Sequence, residues 1–321
     1  MSKNQSMLKP LRNRIYRAFL RSRKELLSFA GALAYRDEPL AYPPVFILGP
    51  TRSGTTLLYQ LLGKAGSFCY ITNYEQDRWW MRSLILKREV KQWKQLPGPA
   101  DFSSEMGKTE GPGNLSQGFK IWDDVLPSEY PDVSPEEIHQ RHRLRIRNEV
   151  RIRENAWDAP FLGKWPAMAV NPELWEYIFP EAFFIRIKRD EFDNAVSLLK
   201  SRRKTHGNDV TPITRQPAAA LRYRKESGHL QVAAYVHYTN KLLDEFEERC
   251  QRIIHIDYKK LCGDPAGQLQ KIEDHYQEVS SYNMNFDYRK IAEPLEARTA
   301  RGLSRDDNEQ IKQALYDLKS S

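Results

Sequence analysis

The stretch PPVFILGPTRSGTTLLYQLL, residues 43–62, decides the fold. Its apolar run at 45–48 reads as a buried strand, a polar loop bracketed by Gly49 and Gly54 follows, and an apolar-periodic segment then opens a helix. The two glycines let the backbone turn tightly, so consecutive amide N–H groups can face one concavity at a helix N-terminus, which is a seat for a phosphate. The outline G-x-x-x-x-G is that of an ATP-type phosphate loop, yet position 55, where that motif carries Lys, is Thr, and Thr56 follows. The cation sits inside the loop, at Arg52, among the hydroxyls of Ser53, Thr55 and Thr56. A nucleotide triphosphatase also needs a carboxylate to help hold magnesium, so this loop predicts phosphate bound without metal. A plain strand-turn-helix would explain the glycines but neither Arg52 nor the clustered hydroxyls.

Composition sets the frame around that loop. At 321 residues and 40% apolar content the chain can bury a full core, and one main domain is expected over 41–321. A charge of +8, from 50 basic and 42 acidic residues, is a mild excess that suits an anionic small ligand and does not call for nucleic acid. Cys69, Cys250 and Cys262 are odd in number and lack metal or redox spacing, so they read as reduced thiols of a cytoplasmic protein. The longest apolar run, near 29–35, falls short of the roughly 20 residues that cross a bilayer, and no signal-peptide layout precedes it. Residues 1–40 form a basic amphipathic segment, with Leu8, Leu11, Ile15 and Phe19 at helical spacing among Arg12, Arg14, Arg17 and Arg21. Two readings fit it: one face packed on the domain, or a peripheral contact with an anionic membrane surface.

Beyond the first unit, residues 66–160 are irregular and aromatic, with Tyr70, Trp79, Trp122, Tyr130 and Trp157 among others. An insertion of this kind is where an acceptor pocket is expected, and its aromatics serve equally well as core. Residues 135–155 are so highly charged that they read as a solvated helix. Lys164 falls near a strand end, a helix covers 172–179, and 182–188 is a hydrophobic strand. Arg189 then stands at the carboxyl edge of that strand, with Ser197 in the early turns of the next helix, the edge at which open α/β sheets bind ligands. A helix at 227–249, a strand at 252–257, a turn at 258–264, a helix at 265–276, a basic loop at 292–302 and a last helix at 306–318 complete the chain. Strands alternating with helices predict an α/β fold of three layers around a central parallel sheet, of the phosphate-loop nucleotide-binding type.

Two of these blocks together resemble the sulfotransferase superfamily, which moves a sulfuryl group from 3′-phosphoadenosine 5′-phosphosulfate (PAPS). GPTRSGTTLL at 49–58 is similar to the family's 5′-phosphosulfate loop, and IKRDEFDNAVS at 187–197 to its 3′-phosphate motif. HIDYKKLCGDP at 255–265 is a weaker match to a late turn of the same family. The resemblance implies transfer of a sulfuryl group from PAPS to a hydroxyl of a glycan, lipid or small molecule, with 3′,5′-ADP as product and no metal. It implies donor binding by Thr51, Arg52, Ser53, Gly54, Thr55, Thr56, Arg189, Ser197 and Arg301. Arg52 and Lys164 would stabilise the departing phosphate. Glu75 resembles in placement the base of tyrosylprotein sulfotransferases, with Glu105, Glu110 and His206 as further candidates. The chain departs from the pattern at Glu191, where the family usually has Pro, at Tyr258-Lys259-Lys260-Leu261, and at Trp165-Pro166, where no histidine follows Lys164. The competing classes are a phosphate-loop kinase and a nucleotide-binding protein without chemistry.

Overall fold

The computed structural model describes residues 39–79, 86, 109–280, 282–291, 293–297, 299 and 302–320. The basic N-terminal segment, except its last two residues, lies outside them, as do Glu105 and Arg301.

Four strands, β1 (Val45–Leu48), β2 (Leu162–Lys164), β3 (Phe183–Lys188) and β4 (Ile253–Asp257), form one sheet in the order β2-β1-β3-β4. Every pairing is parallel; Phe46, for instance, lies opposite both Gly163 and Phe184. Parallel neighbours require crossovers, and helices supply them. Between β1 and β2 run α1 (Thr55–Ala65), α2 (Asn73–Asp77), α3 (Phe119–Val125) and α4 (Gln140–Trp157). Helix α5 (Pro172–Ile178) links β2 to β3, and α6 (Glu191–His206) with α7 (Gly228–Arg249) links β3 to β4. Helices α8 (Tyr258–Gly263), α9 (Pro265–Val279) and α10 (Arg305–Ser320) follow.

Side chains alternate along a strand, so neighbouring phenylalanines report on the two faces of the sheet. Phe46 and Phe184 point one way, onto Trp175 of α5 and Phe179 at its end and onto Phe246 of α7. Phe183 points the other way, onto Tyr276 of α9. Burial on both faces is why these strands are almost continuously apolar. A second apolar cluster, including Leu199 of α6, Val232 and Val236 of α7, and Ile311 and Leu315 of α10, lies among these three helices.

Two expectations change. Residues 258–263 are helical rather than a turn, because the Asp257 carboxylate caps the segment by accepting from the Lys260 amide at 2.9 Å. Helix α4 is not a solvated helix. Ile146, Val150, Arg153 and Trp157 are buried, and its arginines find partners inside the protein. Arg147 donates to Glu181 at 2.7 Å and to the Ile178 carbonyl at 2.8 Å. Arginine stems bury like apolar chains when the heads are satisfied, so a low count of apolar residues hid a packed face.

Candidate active site

The phosphate loop leaves β1 at Gly49 and enters α1 at Thr55. A Cβ on Gly49 would lie 2.7 Å from Ser53 Oγ and 2.9 Å from the Ile187 carbonyl, so only glycine lets the loop nest against β3. Gly54 has φ +106°, and a Cβ there would come within 2.4 Å of the Tyr258 ring. Arg52 is also left-handed, at φ +74°, a conformation that costs a non-glycine residue roughly 1 kcal/mol or more. Its neighbours hold it there. Arg189 Nη1 donates to the Arg52 carbonyl at 2.9 Å, and Asn194 Nδ2 to the Thr51 carbonyl at 2.7 Å. The Tyr235 hydroxyl accepts from the Thr51 amide at 3.0 Å and lies 3.0 Å from Thr51 Oγ1.

The first turn of α1 carries neither a side-chain cap nor an acid, and Ser53 Oγ, fully buried, has no hydrogen-bond partner among the described residues. Arg52 Nε reaches Ser197 Oγ on α6 at 3.3 Å, so the two motifs meet at one place. Arg189 lies over the Tyr258 ring at 4.8 Å. From the other side, Lys164 at the end of β2 donates to Thr56 Oγ1 at 3.0 Å. Burial, and then the charge on Arg52, bring its ammonium down to a pKa of about 7. Three cations, an uncapped helix start and an orphaned hydroxyl suit a phosphate or sulfate group. A cavity of about 680 Å³ opens at the carboxyl edge of β3 and β4, lined by Arg189, Glu191, Tyr258, His237 and, from α10, Leu315 and Lys319.

Glu75 lies deeper. It is fully enclosed on α2, with Arg153 of α4 donating to both of its oxygens and Arg153 Nη1 also reaching Glu149 at 3.0 Å. It further closes a capping box, accepting from the Thr72 amide while its own amide donates to Thr72 Oγ1 at 3.0 Å. Burial pushes its carboxyl pKa up, and Arg153 opposes that push. The Tyr59 hydroxyl, whose pKa burial pushes well up, donates to the Leu162 carbonyl, two residues before Lys164. Glu110 is exposed and accepts from Asn114 through its backbone carbonyl, and His206 is exposed at the far end of α6, roughly 14 Å along the helix from Ser197. Trp165, next to Lys164, stacks on Tyr130 at 5.7 Å, and Arg215 covers both rings. Among the described residues no cluster of three or more His, Cys, Asp or Glu gathers that could hold a metal ion.

Sequence reasoning did not single out Asn194 and Tyr235. The second carried a signal: a tyrosine in the apolar run of a buried helix must place its hydroxyl somewhere.

These features define an α/β protein of the phosphate-loop type whose cations, Arg52, Arg189 and Lys164, gather around a loop with Thr55 at the lysine position of an ATP enzyme. The chain belongs to the sulfotransferase family, whose family model matches residues 43–279. It is 27% identical over 260 residues to the omega-hydroxy-beta-dihydromenaquinone-9 sulfotransferase Stf3 of Mycobacterium bovis and of Mycobacterium tuberculosis. That alignment covers 74% of this chain and 63% of each relative, so the chain matches less than two thirds of their length. Among solved structures, sulfotransferase STF1 from M. tuberculosis H37Rv shares the fold, with a TM-score of 0.51 at 14% identity over 94% of this chain and 85% of that one.

Proposed function

We propose that the protein transfers a sulfuryl group from PAPS to a hydroxyl of an apolar acceptor. The observation that carries this reading is the meeting of Arg52 and Arg189 with Ser197 at a lysine-free phosphate loop. One anion at the loop and a second at Arg189 and Ser197 match a nucleotide with separate 5′ and 3′ phosphates, which ATP lacks. A cavity lined by Arg189 and Tyr258 lies beside the second of these anchors and has room for the nucleoside.

Bound there, PAPS supplies the sulfuryl group and leaves as 3′,5′-ADP. The amides of residues 51–56, with Thr55 and Thr56, would hold the 5′ end, and Arg52 and Lys164 would supply positive charge to the phosphate that departs as the sulfur–oxygen bond breaks. Glu75 takes the proton of the acceptor hydroxyl as its oxygen bonds to sulfur, which requires Arg153 to release one carboxylate oxygen toward the acceptor. The relative's acceptor, a hydroxylated dihydromenaquinone, favours an apolar alcohol.

Calorimetry tests the donor. 3′,5′-ADP is expected to bind without magnesium, and Arg189→Ala to weaken it about 30-fold, the loss of a charged hydrogen-bond donor worth roughly 2 kcal/mol. Binding of ATP that requires magnesium, with none of 3′,5′-ADP, would overturn the reading. Labelled PAPS offered with a long-chain isoprenoid alcohol, a phenol and a sugar identifies the acceptor class, and transfer to the sugar alone would refute the apolar one.

A further inference from the structure

Helix α10 lies beyond the part of the chain that the family model matches, yet it is fastened to α6 at both ends. At its start, Asp307 accepts from Arg203 Nη2 at 2.7 Å and Nη1 at 2.9 Å, and lies 2.7 Å from His229 Nε2 of α7. At its end, Lys319 Nζ lies 2.7 Å from Glu191 Oε2, the first residue of α6, while Asn240 of α7 donates to Glu191 Oε1 at 3.2 Å. The two anchors are twelve residues apart on each helix, 191 and 203 against 319 and 307. Equal spans of about 18 Å allow both anchors to close only if the helices run antiparallel along nearly their whole length. Ile311, Leu315 and Leu318 fill the interval with apolar contact.

The second anchor falls beside the cavity that Arg189 lines. Glu191 is two residues past Arg189, and Glu191, Leu315 and Lys319 all line that cavity. Glu191 also occupies the position where the resemblance leads one to expect Pro, a residue that could not reach Lys319.

We propose that α10 is a clamp that forms one wall of the donor cavity, and that Glu191 and Lys319 are positioning residues which hold the β3–α6 turn, and with it Arg189, in its donor-binding place. This rests on the donor reading above. Opening the anchor frees the turn and costs donor affinity, and it leaves the acceptor side untouched.

The test uses the full chain with 3′,5′-ADP as probe. Lys319→Glu sets two carboxylates against each other and is expected to weaken 3′,5′-ADP about fivefold, roughly 1 kcal/mol, with the donor KM rising in step and the acceptor KM and kcat unchanged. The double exchange Glu191→Lys with Lys319→Glu restores the pair and is expected to return affinity to within about twofold of wild type. Unchanged affinity in Lys319→Glu, or a loss that the double exchange does not recover, would overturn the clamp while leaving the donor reading standing. A wild-type protein that does not bind 3′,5′-ADP removes both.

Discussion

Lys164 has an ammonium that burial and Arg52 bring to about 7, so in the empty site it is half neutral near physiological pH. An anion seated at the loop favours the charged form and raises that pKa again. The sign follows: between about pH 7 and the raised value, binding takes up a proton, so affinity for 3′,5′-ADP falls as pH rises through that window and is flat in this respect below it. Calorimetry in buffers of different ionisation heat is expected to register the uptake at pH 7.5, and Lys164→Arg, whose charge does not titrate there, to abolish it. Equal uptake in that variant would take the proton away from Lys164. Glu75 offers a second check. Glu75→Gln leaves Arg153 buried with Glu149 as its remaining carboxylate, a change expected to cost about 3 kcal/mol of stability and to lower the melting temperature. As the proposed base it is also expected to lose turnover per folded molecule by at least about a hundredfold, and full turnover in the folded fraction would end that assignment.

The loop and α1 form a unit whose outline could be read from spacing, because glycine positions, a four-residue apolar run and a helix start are local signals. The same holds for β3 and α6, where Asp190 caps the helix by accepting from the Asp193 amide at 2.9 Å and an acid at 191 suits its first turn. Helix α4 could not be read this way. Its burial is achieved by arginines whose partners, Glu75 and Glu181, lie tens of residues away in the chain, and no local pattern announces such pairings. The same reason hid the latch on the loop. Thr51 is held by Asn194, 143 residues on, and by Tyr235, 184 residues on; the tyrosine's apolar surroundings say that its hydroxyl needs a partner, and nothing local to either residue names Thr51. Tyr235→Phe removes the acceptor for the Thr51 amide and lets the left-handed Arg52 relax. It is expected to weaken 3′,5′-ADP about tenfold with little change in the acceptor KM. Affinity within twofold of wild type would mean that the remaining contacts from Arg189 and Asn194 suffice.

At the scale of the whole molecule, the proposed donor site draws on β1, the end of β2, β3, α6, α7 and α8, segments that share no continuous stretch of chain. No single element keeps its contacts if the others part, so a ligand held there binds only the folded protein and stabilises it by mass action. At a hundred times its dissociation constant, 3′,5′-ADP contributes about 2.7 kcal/mol, which for a domain of this size raises the melting temperature by about 5 °C. Because Thr55 stands where an ATP enzyme carries its loop lysine, the same shift is expected with EDTA present. Arg189→Ala is expected to lose most of it at equal ligand concentration, since its guanidinium joins β3 to the loop through the Arg52 carbonyl. A shift that appears only with magnesium, or that survives loss of Arg189 undiminished, would place the nucleotide elsewhere than at this junction.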